Sequence, residues 1–469
     1  MNINNINKIF SQHKEFIQAF MKRGKIPGLS IIVIDGDEEV FIKNFGYADL
    51  GERIPVTSDT LFELGSCSKS FTALALLQLE EQGLINLDDP VSAYLPQFYV
   101  RYQRDRKQEI SLRQLLHHTS GIFWKSICNI PEGNANNALE QTVRNIVGIK
   151  LKHSPGQHFG YATINYDIIG AVIEKVSGLP FEVYMQQKVF EPLGLIHTKV
   201  KGGMEKGNPH MAAGYKTGLF GPGKYDAPIY RGNSPAAYII SNAKDIAQWM
   251  RVQVGLEDTP LESLIRKTHI PDKTVPPHWI DKSHYAMGWF VYKKEKGRLG
   301  HLGMNPNFTC EISLRPRPKR AVAILTNSNS RYAYVLGSYI RKFLFDEEIR
   351  RIYYMPSYLS VRYSSKIAFL LSLYLLAAAG ILISMILDVL GGGRQLHPIT
   401  AEIFTHLIGT GLGIAVLLIA AWLIPKIKRK YFWKILIVWK PRIFSIALRL
   451  FLTSIGISYI IYVLSLISK

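Results

Sequence analysis

Three apolar runs crowd the carboxy-terminal part of the chain, at residues 367–387, 403–424 and 444–467. Each is near or above the ~20 residues that a helix needs to cross a bilayer. The first two are almost free of charge, with Asp388 and His406 near their ends, and Arg449 in the third can snorkel to a membrane surface. Three such runs in succession, flanked by Lys/Arg and Trp/Tyr, argue against a buried soluble bundle and predict three transmembrane helices. Gly409 and Gly413 form a G-x-x-x-G in the second run, which predicts a helix-packing face. Residues 435–439 are too short to span and sit among lysines, so they are expected to lie along the membrane surface.

The preceding chain reads differently. Up to about residue 352 apolar and polar residues alternate as in a soluble globular domain. The chain of 469 residues therefore divides into a globular domain over 1–350, a linker over 351–366 and a membrane domain over 367–469. Its formal charge of +20 would suit nucleic acid, but from Gly391 onward ten Lys/Arg face one acid, Glu402. Basic residues beside apolar runs mark the cytoplasmic side of a membrane protein. The globular part has no interleaved basic and aromatic stripe, so a nucleic-acid partner is not expected.

Arg350, Arg351, Arg362 and Lys366 precede the first run. Seven basic residues from Lys426 to Arg442 separate the second and third, whereas the first connection has only Arg394. The charge rule then places the globular domain on the cytoplasmic side. The first twenty residues lack the apolar core of a secretory signal, which agrees. Their Ile3, Ile6, Ile9/Phe10, Ile17 and Phe20 form a helical stripe expected to pack on the domain. Cys67, Cys128 and Cys310 give no disulfide framework, and with no C-x-x-C or H-E-x-x-H neither metal nor organic cofactor is implied.

Residues 29–34 and 40–46 read as strands joined through Asp35-Gly36. A helix is expected to start at Ser66, with others near 112–117, 166–176 and 243–252. A strand pair follows at 310–314 and 321–326, turning through Arg315-Pro316-Arg317-Pro318, and a last helix covers 332–345. Strands at both ends with helices between predict an α/β (α+β) domain with one mixed sheet and a helical insert.

A serine hydroxyl is a weak nucleophile until a base takes its proton. A lysine three residues later on a helix lies one turn away on the same face. Burial or a neighbouring cation would lower its affinity for a proton and let it act as that base. Ser66-Cys67-Ser68-Lys69 fits, but so do Ser11–Lys14 and Ser241–Lys244. Only Ser66 follows an apolar segment ending in glycine (Phe62-Glu63-Leu64-Gly65) and opens a long apolar helix, where backbone N–H groups can hold an oxyanion. Cys67 reads as a small buried residue, His117 and His118 as packing behind the site, and Lys216-Thr217-Gly218 as a decoy in a glycine-rich loop. The absence of G-x-S-x-G argues against an α/β-hydrolase.

The segments Ile26-Pro27-Gly28, Pro55-Val56-Thr57, Gly65 through Ala73 and Leu87-Asp88-Asp89-Pro90 resemble the class C β-lactamase-related serine hydrolase family, which includes penicillin-binding D-amino-acid peptidases and esterases. The resemblance runs over about residues 20–345. It continues through Leu115-Leu116-His117-His118-Thr119-Ser120-Gly121, Pro155-Gly156, Tyr285-Ala286-Met287-Gly288-Trp289 and His301-Leu302-Gly303. It implies a β-lactamase/transpeptidase-like fold, with Ser66 as nucleophile and Lys69 as base. Tyr161 would share the base role and activate the deacylating water, its pKa lowered by nearby lysine cations. The backbone N–H groups of Ser66 and Met304 would form the oxyanion hole, while Thr163, His301, Gly303 and Asn305 would meet the substrate. Thr163 stands where the family's second motif has asparagine, and Asn307 where a glycine is common in the third.

A catalytic domain of this kind followed by three spans resembles the membrane-anchored peptidases that mature nonribosomal-peptide antibiotics or toxins by removing an acyl-D-asparagine cap. A hydroxyl residue replaces the second-motif asparagine there too. That resemblance implies a peptide or amide substrate, a lipid-bilayer partner and an extracytoplasmic catalytic domain, opposite to the charge count, and a homo-oligomer through the membrane helices is compatible with it. A carboxylesterase, a D-Ala peptidase of peptidoglycan, a β-lactamase of the same fold and a catalytically silent relative remain alternatives.

Overall fold

The computed structural model describes residues 3–36, 40–203, 207–218, 221–278, 281–345, 355–395 and 442–467, with isolated positions between 398 and 438. It separates into two compact units, one of residues 1–216 and 222–350, the other of residues 217–221 and 351–469.

The first unit is built on eight strands. In chain order these are β1 (Gly28–Asp35), β2 (Phe41–Asp49), β3 (Ile54–Pro55), β4 (His284–Tyr285), β5 (Phe290–Tyr292), β6 (Arg298–Met304), β7 (Thr309–Arg315) and β8 (Arg320–Thr326). Across the sheet they run β4-β5-β6-β7-β8-β1-β2-β3. The pairings from β4 to β2 are antiparallel, so strands from the two ends of the unit meet where β1 pairs β8, Leu29 against Thr326 through Asp35 against Arg320.

Every residue of β1 is buried, because both faces of the sheet are covered. Helices α1 (Ile3–Gln12), α2 (Lys14–Gly24) and the carboxy-terminal helix of the unit (Tyr332–Phe345) cover one face. Ile6, Phe10, Ile17 and Phe20 of the amino-terminal stripe are buried there against Ile31, Val33, Ile324, Leu336 and Ile340. The stripe packs on the domain, as its period predicts; the side chains of Ile3 and Ile9 lie outside the described residues.

The long connection between β3 and β4 forms the helical insert. Its central helices are α3 (Ser68–Glu81) and α4 (Ile164–Ser177). A single turn, α5 (Ser234–Ala237), precedes α6 (Ala243–Gln253). The expected helix start at Ser66 is divided: Gly65–Cys67 makes one 3-10 turn before α3 begins.

In the second unit, α7 (Met355–Leu390) and α8 (Arg442–Ile467) are long and apolar around their circumference. Residues 363–390 and 444–467 are each long and apolar enough to cross a membrane, with side chains such as Leu376 (71% exposed) and Leu390 (78%) pointing outward. Tyr374 hydrogen-bonds Ser458 between the two helices. Most of the middle apolar run, Gly413 and the expected surface segment at 435–439 lie outside the described residues.

Candidate active site

The nucleophile turn is shaped by two glycines. Phe62–Glu63 forms a short strand against Ile239–Ser241, and the chain then bends at Gly65 with φ +52°, a left-handed conformation that favours glycine. A β-carbon on Gly65 would lie 2.5 Å from the Met304 nitrogen and 2.9 Å from Gly303 Cα. One on Gly303 would collide with the Leu64 carbonyl and sit 3.1 Å from the Ser66 nitrogen. Glycine at both positions lets β6 run directly against the turn. The backbone nitrogens of Ser66 and Met304, expected as the oxyanion donors, both border this contact.

One turn further, Lys69 is fully buried. Its Nζ donates to Ser66 Oγ at 3.2 Å, Thr163 Oγ1 at 3.1 Å and the Ala236 carbonyl at 2.8 Å. Burial pulls its pKa down to about 7, against the opposing pull of Asp167 and Cys67. At neutral pH a large fraction of Lys69 is therefore an amine, with a lone pair that a serine proton can use. Its cationic form lies 5.2 Å from the centroid of the Tyr161 ring and 5.6 Å from that of Tyr166.

Tyr161 corrects one expectation. Its ring is held against His118, with centroids 4.3 Å apart, and its hydroxyl is buried without a hydrogen-bond partner. Burial raises its pKa far above the ordinary phenol value. Ser66 is near enough to pull the other way but outside bonding geometry. The expected lowering by lysine cations does not occur, because the one lysine beside it is itself stripped of solvent. Tyr161 is a neutral phenol, and Lys69 is the group poised to accept a proton.

Thr163 caps the start of α4 and spends its hydroxyl on Lys69. His301 is buried in β6, with Nε2 3.2 Å from the Tyr285 hydroxyl and its pKa pressed to about 3 by burial and by Lys69. It is a neutral ring 6.0 Å from Tyr161, centroid to centroid. Asn305 is buried behind the Gly65–Met304 contact. Its Nδ2 donates to Glu63 Oε2 at 2.6 Å and the Ala237 carbonyl at 2.9 Å, leaving Oδ1 buried without a partner. Lys201 pairs with the other oxygen of Glu63. Asn307 donates to the Tyr225 carbonyl at 2.9 Å.

Ser66, Lys69, Tyr161, Thr163, His301, Gly303 and Met304 thus converge from the nucleophile turn, α3, α4 and β6. His117 and His118 are buried and engaged, with Tyr285 O and with Asn165 and the Ala162 N–H respectively. Lys216 lies with Nζ 3.8 Å from the Tyr225 ring centroid. Sequence reasoning missed three partners. Ala236 contributes only a backbone carbonyl, which carries no sequence signal. Glu63 and Asp167 could have been found, as acids set inside apolar segments that the fold must bury. Among the described residues no group of three His, Cys, Asp or Glu could hold a metal ion.

An antiparallel sheet backed by terminal helices, with a serine and a buried lysine one turn apart at the start of a helical insert, is the arrangement of the β-lactamase fold. Residues 13–344 match the family model described as Beta-lactamase, and the chain belongs to that family. Protein flp of Staphylococcus aureus (strain N315) is 31% identical over 323 residues, covering 68% of this chain and 64% of its own length. This chain therefore spans less than two thirds of that relative. The putative penicillin-binding protein PbpX of Bacillus subtilis (strain 168) is 37% identical over 200 residues, 43% of this chain and 48% of its own. Among solved structures, the octameric penicillin-binding protein homologue from Pyrococcus abyssi superposes with TM-score 0.63 at 27% identity, over 71% of this chain and 77% of its own. A class C β-lactamase superposes with TM-score 0.61 at 21% identity, over 73% and 98%, a likeness of fold.

Proposed function

We propose that this protein is a membrane-bound peptidase that cleaves an amide next to a D-amino acid, an acyl-D-asparagine cap being the best-fitting case. In the reaction, Ser66 Oγ bonds to the carbonyl carbon as its proton passes to Lys69 Nζ. The C–N bond then breaks as Lys69 Nζ gives that proton to the departing amine. Water next adds to the acyl carbon, Lys69 takes a water proton and returns it to Ser66 Oγ, and the acid departs. The Ser66 and Met304 N–H groups would hold the oxyanion.

The observation that carries the acyl-transfer reading is the Ser66 hydroxyl 3.2 Å from the buried Nζ of Lys69, while the D-asparagine class rests on the resemblance of the chain to cap-removing membrane peptidases. Thr163 supports acyl transfer as the hydroxyl that holds Lys69 Nζ at 3.1 Å. Helices α7 and α8 support a bilayer partner by length and apolar circumference. By family resemblance the catalytic unit is extracytoplasmic.

The test is a comparison of hydrolysis rates by the full chain in detergent on N-acyl-D-asparagine amides, the L-epimers, acyl-D-Ala-D-Ala, a cephalosporin and short acyl esters. Preferred cleavage of the D-asparagine amide over its L-epimer is expected. Fast ester turnover without D-amide cleavage would replace the reading by a carboxylesterase.

A further inference from the structure

Four residues after Thr163, α4 carries Asp167, on the side of the helix that faces Lys69. It is fully buried in a helix whose neighbouring side chains, Tyr166, Ile168 and Ile169, are buried too. A carboxylate in such a place is tolerated only when hydrogen-bonded and balanced by charge. Both conditions are met. The amide of the buried Asn233 lies 3.0 Å from one carboxylate oxygen and 3.1 Å from the other, and the amide orientation that satisfies both groups turns its NH2 towards them. The Ala236 N–H donates as well, and the carbonyl of the same Ala236 accepts from Lys69 at 2.8 Å. Carboxylate and ammonium therefore grip one residue of α5 from its two ends.

The rings around Lys69 supply no formal charge: the raised phenols of Tyr161 and Tyr166 stay neutral. His118 from the insert and His301 from β6 are pushed far below their ordinary range by burial and by Lys69 itself. Among the described residues Asp167 is the one carboxylate whose charge acts on Lys69. Burial holds Asp167 well above the ordinary carboxylate range, against the pull of Lys69 and the Ala236 N–H; its ionised form is the one that a charged Lys69 and the Asn233 donors favour.

We propose that Asp167, clamped by Asn233 and the Ala236 N–H, is the counter-ion of the Lys69 ammonium and the positioning residue that keeps Lys69 in line with Ser66. The inference rests on the reading of Lys69 as the base for Ser66. Asp167 touches neither substrate nor nucleophile; it acts through Lys69. Its negative charge favours the ammonium, so it holds the proton that Ser66 gives up while the acyl-enzyme forms. Without it Lys69 would shed that proton more readily and accept it less well.

The experiment is the rate of fluorophosphonate labelling of the full chain in detergent, followed across roughly pH 5 to 10, for wild type, Asp167→Asn, Asn233→Leu and Lys69→Ala. Asp167→Asn keeps shape and hydrogen-bonding capacity but removes the charge. The acid limb is expected to move to lower pH by about one unit, a roughly ten-fold change in rate at a fixed pH on that limb, with a lowered plateau. Asn233→Leu is expected to move the limb in the same direction by less. A limb that stays in place in Asp167→Asn overturns the inference; if that variant does not fold, an unmoved limb in Asn233→Leu does so. Wild-type labelling in Lys69→Ala would instead break the reading of Lys69 as base, a failure visible independently of the Asp167 result.

Discussion

Two serine–lysine pairs of identical spacing lie in the same compact unit, and they could hardly differ more. Ser66 and Lys69 meet at 3.2 Å, with the lysine sealed from solvent. Ser241 is also buried, but its hydroxyl is 2.8 Å from that of Thr198, at the end of a strand. Lys244 sits 54% exposed on the first turn of α6, paired with Asp59 at 2.7 Å. The third match fails earlier still, with Ser11 and Lys14 both on the surface. Spacing brings a lysine to the right face of a helix, but burial makes it a base. That burial comes from α4, α5 and β6, none of which is near Ser66 in sequence.

The comparison breaks most sharply on the two lysines. Lys69→Ala is expected to lower fluorophosphonate labelling by about a thousand-fold or more, and Lys244→Ala to leave it within about two-fold, since an exposed ion pair contributes little. Equal losses would show that burial is not what separates them. Gly303→Ala comes next: a β-carbon there collides with the Leu64 carbonyl, so the nucleophile turn must leave Met304. A loss of at least about a hundred-fold in amide hydrolysis is expected, read as kcat/KM on folded protein.

Thr163→Val removes one of three acceptors from Lys69 and should reduce labelling by about ten-fold. The gentlest effect is on stability. The folded-state pKa of Lys69 is depressed to about 7 from 10.5, so between these values the unfolded chain binds more protons, and this group's contribution to stability rises with pH through that window. Lys69→Met, which also leaves Asp167 without its counter-ion, is expected to flatten the rise in melting temperature between about pH 7 and 10, and an unchanged rise in that variant would contradict the depressed pKa.

Legibility in the sequence followed the range of the forces involved. The amino-terminal stripe was readable because Ile6, Phe10, Ile17 and Phe20 recur at helical spacing and bury on one face. Helix 332–345 and the strands near 310 and 321 were readable for the same reason, alternation or helical period with turn residues between. The start of α3 was misplaced by two residues, since a positive φ at Gly65 inserts a 3-10 turn that no periodicity announces. Motif order brings Tyr161 to the cluster, but its electrostatics are not legible in the chain. Its order between Ser66 and His301 is visible in the chain, whereas the exclusion of water around its hydroxyl exists only once the fold closes. Ala236 contributes a carbonyl, identical in every residue type, so it could not be read at all.

The sequence by itself determined four of the eight sheet strands and the two described apolar tail helices, because local period, turn residues and motif order are properties of neighbouring residues. Tertiary structure decided what those residues can do. The state of Lys69, the neutrality of Tyr161 and His301, and the pairing of Asp167 with Asn233 all arise from groups far apart in the chain. They are brought together where water is removed, and removal of water is what turns a common spacing into a base beside a nucleophile.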